Sequence, residues 1–82
     1  MNGLKLELMR LDRLPAGETA RVVKIHGDGD SAVRLHALGI LPGSRIHRRQ
    51  TAPLGDPVAY DVNGQKISLR RGEASLIEVE PG

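Results

Sequence analysis

Glycine and proline punctuation constrains this chain more than any other feature. Ten glycines and five prolines are spread over 82 residues, so the segments between them are short. Short segments between Gly/Pro turns favour strands over long helices. The sharpest mark is Asn63-Gly64. A two-residue type I′ turn needs positive φ at both central positions, and Asn-Gly supplies it. Before the turn, Val58, Tyr60 and Val62 alternate with Ala59 and Asp61. After it, Gln65 to Arg70 returns with Ile67 and Leu69 on the inward face. The two segments predict a hairpin.

The other segments follow the same logic. Thr19 to His26 reads as a strand, with β-branched Val22, Val23 and Ile25 and with Arg21 and Lys24 interspersed. Ser44 to Thr51 reads as an unusually polar strand, whose only large apolar residue is Ile46, beside His47-Arg48-Arg49. Arg71 to Ala74 fits a single turn, and Ser75 to Glu80 fits a closing strand with Ile77 and Val79 inward. Leu4, Leu6, Leu8, Leu11 and Leu14 change spacing from two to three, which reads as an irregular or short helical lead-in over the core. Asp30 or Ser31 is placed to cap a short helix ending near Leu38. Ala32, Leu35 and Leu38 share one arc of it, and Gly39 sits at the left-handed C-terminal position. The sum is about five strands with one helix inserted after the first. Small all-β chains remove their edges by closing up. The expectation is therefore a mainly β fold, a small barrel, as a single domain over residues 1–82.

Composition excludes several functions. The chain has no cysteine, which removes disulfides, thiolate metal sites and cysteine nucleophiles. A small domain without disulfides reads as intracellular. No apolar run approaches the ~18 residues of a membrane helix, and the start from Met1 to Lys5 lacks the apolar stretch of a signal peptide. The expected location is the cytoplasm. Twelve basic against ten acidic residues leave a formal charge of +2, a weak argument for nucleic acid. Tyr60 is the only aromatic residue, so no stacking platform for single strands exists.

Few residues are spaced for chemistry. Gly27 to Ala32 matches a relaxed dinucleotide fingerprint, but the chain has no room for the crossover that goes with it, and two aspartates would repel a pyrophosphate. A Gly/Asp turn followed by a helix start explains the same residues. Asp28 and Asp30 open like a calcium loop, but position twelve is Gly39 where a bidentate Glu is needed. His26 with Asp28 and Asp30 is the best available set for a divalent ion, against the plain reading of exposed polar loop residues. No spacing points Ser, His and carboxylate side chains at one another, so no enzymatic activity is expected. Arg45, His47 and Arg49 share one strand face, near Arg70 and Arg71 in character. That face reads either as an anionic docking surface or as a solvated exterior that discourages edge pairing.

Four motifs in order carry a resemblance. Leu14-Pro15-Ala16-Gly17 precedes the first strand, and Arg34-Leu35-His36-Ala37-Leu38-Gly39-Ile40-Leu41-Pro42-Gly43 follows. Ala52-Pro53-Leu54-Gly55-Asp56-Pro57-Val58 and then Leu69-Arg70 with Glu73-Ala74 complete the set. From about Leu11 to Glu80 the chain resembles the FeoA family of ferrous iron transport proteins. The resemblance implies an SH3-like small barrel with a helix after the first strand. It also implies a cytoplasmic protein working with FeoB, a membrane ferrous-iron transporter that carries a GTPase domain. FeoA-like domains are similar, too, to the C-terminal domain of iron-dependent repressors, where they bind another part of the same polypeptide. Within the motifs, Leu35, Leu38, Gly39, Gly43, Pro53, Gly55 and Pro57 read as structural. Pro53 and Pro57 stiffen a loop that presents Leu54 as a pre-ordered apolar tip. The polar strand departs from the family pattern, which leaves its packing open or marks it as an exposed edge.

The expected function is thus an accessory domain of ferrous iron uptake that docks on a FeoB-type transporter and modulates its assembly or GTPase state. Arg34, Leu54, Arg45, Arg49 and Arg70 are the candidate partner contacts. Arg34 and Arg70 can each anchor a partner carboxylate or an internal one from Glu73 or Asp56, the internal role being favoured for Arg70. Two alternatives stand beside this reading. One is a nucleic-acid-binding barrel using the basic strand 45–49. The other is a direct metal sensor taking Fe2+ at His26, Asp28 and Asp30. No firm cofactor is expected, and exposed strand edges permit self-association.

Overall fold

The computed structural model describes residues 7–50 and 55–82. Six strands form one sheet: β1 (Met9–Arg10), β2 (Thr19–Ile25), β3 (Arg45–Arg48), β4 (Val58–Val62), β5 (Gln65–Leu69) and β6 (Ile77–Pro81). Their order is β1-β6-β2-β3-β4-β5, and every ladder is antiparallel. A 3-10 turn (Leu11–Arg13), helix α1 (Asp30–Ala37) and the single-turn helix α2 (Arg71–Ala74) complete the described chain.

The β4–β5 hairpin forms as its sequence dictates. Val62 pairs with Gln65 across Asn63 (φ 51°) and Gly64 (φ 80°), the two positive φ values of a type I′ turn. Val58, Tyr60, Val62, Ile67 and Leu69 all face the core. β2 is less regular, for a reason visible in its residues. Its inward positions are Ala20, Val22 and Ile25, a spacing of two and then three. A plain strand cannot put all three on one face. A bulge solves this: Val22 pairs with Val79 and Lys24 with Glu78, so Val23 is the extra residue and Ile25 returns inward opposite Ile77.

The polar β3 is an interior strand between β2 and β4, not an exposed edge. It is also shorter than expected. Ile46 is buried, and the next inward position is Arg48, which is half-buried. Its Nη1 donates to the carbonyl of Leu14 at 2.5 Å, at the end of the 3-10 turn. The apolar stem can line the core while the guanidinium reaches a backbone acceptor. A polar sequence therefore occupies the middle of the sheet without a stranded charge.

Helix α1 is capped by Gly29 with no side-chain bond, so neither Asp30 nor Ser31 is the N-cap. Ala32 and Leu35 are buried, and Leu38 is half-buried against the core. The C-terminal end matches the expectation closely. Gly39 (φ 87°) donates to the His36 carbonyl at 3.0 Å, and Ile40 donates to the Leu35 carbonyl at 3.2 Å. These are the two bonds of a Schellman motif, and the accompanying apolar pair is Leu35 and Ile40, both fully buried. Among the other motif residues, Gly43 and Gly55 also have positive φ, and the Asp56–Pro57 peptide is cis.

The lead-in is part strand. Met9 and Arg10 pair with Val79 and Glu78 of β6, and the 3-10 turn buries Leu11. Leu11 and Leu14 are fully buried, whereas Leu8 is exposed. Leu4 and Leu6 lie outside the described residues. With β1 added, the strands among the described residues number six where about five were expected. The sheet curls around its core but does not close into a complete barrel. β1 and β5 end the strand order and share no ladder, because a two-residue β1 is too short to pair along β5. An open seam is left between β5 and the 3-10 turn, lined by Arg13, Arg48, Tyr60, Leu69 and Arg71.

Candidate functional site

The first candidate surface is the junction of α1 and α2. Arg34 projects from α1 and pairs through Nη1 with Glu73 Oε2. The other carboxylate oxygen, Oε1, accepts the backbone N–H of Arg70 at 3.0 Å. Glu73 at the third helical position thus satisfies an orphan donor at the start of α2, which is one half of a capping box. Asp56 Oδ1 accepts the next N–H, from Arg71, at 3.0 Å. For Arg34 the structure selects one of its two expected roles, whereas the internal role favoured for the Arg70 side chain is not seen. Arg34 takes the internal carboxylate, while Arg70 meets Glu73 through its backbone and leaves its side chain exposed.

The second surface is the outer face of β2–β3–β4. Arg45, His47 and Arg49 do share it, as period two requires. Their charge is largely answered. Arg49 Nε donates to Asp61 Oδ1 at 2.9 Å. His47 Nδ1 lies 2.9 Å from Thr19 Oγ1. Arg45 stands opposite Arg21 in the ladder, a like-charge pair. Arg21 is held by Glu80 at 2.5 Å, and Arg45 Nη2 donates to the Gly82 carbonyl at 3.3 Å.

The divalent-ion set is not assembled. His26 Nε2 lies 2.9 Å from Glu78 Oε1, turned to β6, while Asp28 and Asp30 are exposed. No group of three or more His, Cys, Asp or Glu residues able to hold a metal ion occurs among the described residues. The reason is the bulge in β2, which sets Lys24 opposite Glu78 and brings His26 to the same carboxylate. Leu54 and Pro53 lie outside the described residues, so the apolar loop tip has no structural account.

Sequence reasoning missed the seam. Tyr60 is almost fully buried, and burial raises its pKa above the usual value by desolvating the phenolate. Arg48 opposes that shift, and the Asp12 and Asp56 carboxylates add to it. Arg13 and Arg71 are exposed at the seam. The alternation of β4 already placed Tyr60 inward, but nothing in the sequence says that the wall opposite is incomplete.

The comparison with known families decides what these surfaces belong to. Residues 9–81 match the family model described as the FeoA domain. This chain belongs to the FeoA family. Over 72 residues, 88% of the chain, it is 42% identical to a Fe(2+) transport protein A/Fe(2+) transporter FeoB fusion protein of Porphyromonas gingivalis. It spans only 8% of that protein's length. The solution structure of iron(II) transport protein A from Clostridium thermocellum superposes with a TM-score of 0.83 at 41% identity, covering 89% of this chain and 45% of that one. FeoA of Stenotrophomonas maltophilia, solved with zinc and described as a prokaryotic SH3 domain protein, gives 0.78 at 29% identity, covering 88% and 89%. The FeoA fold seen here is therefore SH3-like and mainly β, with α1 inserted after the first long strand.

Proposed function

We propose that this FeoA domain is a non-catalytic accessory of ferrous iron transport that docks on the cytoplasmic, GTPase-bearing part of a FeoB-type transporter and modulates its assembly or activity. The observation that carries this reading is the fused relative, in which a segment 42% identical to this chain shares one polypeptide with FeoB. Fusion holds two modules at high effective concentration, which selection favours where the two work together. Docking on the cytoplasmic part would place the domain at that face of the membrane. Among the described residues no helix is long and apolar enough to cross a membrane.

The surface best suited to docking is α1 with the turn after it. Val33 is 64% exposed on the helix and Leu41 is 49% exposed beyond the Schellman motif. Arg34 lies next to Val33, half-exposed and steadied by Glu73. A side chain already held in place loses less entropy on binding. The nucleic-acid alternative is less well supported, because Arg21 and Arg49 on the basic face already meet carboxylates. Direct iron binding lacks a ligand set among the described residues.

The test is an amide NMR titration of the labelled chain with the cytoplasmic region of its FeoB partner, with and without nucleotide. Shifts clustered over residues 30–43 are expected. An absence of shifts at high partner concentration would overturn docking on that region.

A further inference from the structure

β5 is paired on one side only among the described residues. Its hairpin register fixes which backbone groups are left over. Val62 and Gln65 flank the two-residue turn and form a hydrogen-bonded pair, and pairs alternate along an antiparallel ladder. Gln65, Ile67 and Leu69 therefore bond to β4. Lys66 and Ser68 point their N–H and C=O groups to the open edge.

The charge around that edge is net positive, with Asp61 opposite Lys66 in the ladder and with Asp12 and Asp56 beside the seam. Arg21, Arg34, Arg49 and His26 each have a carboxylate partner. Lys66, Arg70, Arg71 and Arg13 have none among the described residues. Lys66 and Arg70 share the outward row of β5 with Ser68. Arg71 begins α2 at the end of the strand, and Arg13 faces it across the seam. The seam holds a cavity of about 310 Å³, into which the Tyr60 side chain is set. No hydrogen bond to the Tyr60 hydroxyl occurs among the described residues. Asp12 lines the same cavity with Arg13, Arg48 and Arg71, and Asp56 holds the Arg71 N–H at its margin.

We propose that the β5 edge accepts an extended acidic segment of a protein partner, which adds a strand to the sheet and sets an acidic side chain in the seam between Arg13 and Arg71. Strand addition draws its affinity from main-chain bonds and its selectivity from side chains at alternate positions. Here the outward row reads Lys66, Ser68 and Arg70, two cations flanking a neutral hydroxyl. The same cations discourage a second copy of this chain, since two β5 edges would bring Lys66 and Arg70 against like charge. A free phosphate would satisfy the arginines but leave the edge amides of Lys66 and Ser68 unpaired. The proposal rests on the docking reading only in taking the occupant to be a protein. The FeoB cytoplasmic region could shift α1 and leave β5 untouched, or the reverse, so either idea can fail alone.

The experiment titrates the full labelled chain with a short peptide alternating Glu and Val, its Lys/Val counterpart, and inorganic phosphate, all at one ionic strength. With the acidic peptide, the Lys66 and Ser68 amides are expected to shift saturably and to gain protection from hydrogen exchange. The basic peptide should do neither. Lys66→Glu combined with Arg71→Glu should weaken binding about tenfold, since the first turns an attractive cross-strand pair into a repulsive one and the second reverses the charge at the seam. Lys66→Gln, milder and at an exposed position, should weaken it about threefold. Seam shifts with phosphate and peptide alike, without protection at Lys66 and Ser68, would overturn strand addition in favour of a simple anion site. Unchanged spectra at millimolar acidic peptide would overturn the proposal outright.

Discussion

Glu73 of α2 ties Arg34 of α1 to the helix that Glu73 itself starts. One carboxylate oxygen takes the guanidinium, 39 residues away in sequence, and the other takes the Arg70 N–H. A single side chain thus joins a long-range contact to a local cap. Glu73→Ala is expected to cost about 1–2 kcal/mol, from an ion pair worth about 0.2–1 and a capping bond worth about 1. Glu73→Gln keeps an acceptor for the Arg70 N–H and should cost less than about 1 kcal/mol. Thermal unfolding checks both, at about 4–8 °C per kcal/mol for a domain of this size. Equal losses in the two variants would show that the charge carries the effect and that the capping bond adds little.

Gly39 is held at φ 87° by the Schellman motif. A Cβ added there would find Asn63 Nδ2 as its nearest neighbour at 3.8 Å, an ordinary contact. The cost of Gly39→Ala is then conformational, about 1–2 kcal/mol. Gly39→Asn should cost less, because Asn tolerates the left-handed region better. Denaturant unfolding of both variants tests the order; a larger loss for Asn would point to crowding against Asn63 instead.

Tyr60 makes stability fall in alkali. Its pKa is raised in the folded protein, chiefly because burial desolvates the phenolate. Above pH ~10 the unfolded chain ionises its tyrosine while the folded chain resists. The contribution is fully present below the unfolded pKa and is lost as pH rises through the folded one. Since Tyr60 is the only aromatic residue, its phenolate absorbance reports this titration without overlap. The midpoint should lie above that of the denatured chain. Tyr60→Phe should flatten the alkaline loss of stability, and an unchanged loss would assign it to other groups.

Val23 is the surplus residue of the β2 bulge. Deleting it leaves Ala20, Val22 and Ile25 in strict alternation, with Arg21 and Lys24 outward. The deletion variant should fold with Ile25 still opposite Ile77, visible as a retained cross-strand contact by NMR. Loss of that contact would mean that the bulge positions the strand as well as lengthening it.

Much of this was legible in the chain. Asn63-Gly64 needs only its own backbone to make a turn, and the alternation beside it needs only two faces. Gly39 after Leu38 likewise wrote the end of α1, with Ile40 placed to meet Leu35. These features are local, and local sterics decide them. The β2 bulge could have been read from the spacing of Ala20, Val22 and Ile25.

What the sequence by itself determined was the five strands from β2 to β6, the hairpin, the end of α1 and the order of the four FeoA motifs. Tertiary structure alone decided three things. It made β3 an interior strand, because the Leu14 carbonyl lies where Arg48 can reach it. It gave Glu73 to Arg34 and His26 to Glu78, since an ion pair depends on distance in space and several candidates were equally spaced in sequence. It left the barrel open beside β5, because β1 has only two paired residues. Closure depends on how strands meet across the whole sheet, and no short stretch of sequence carries that information.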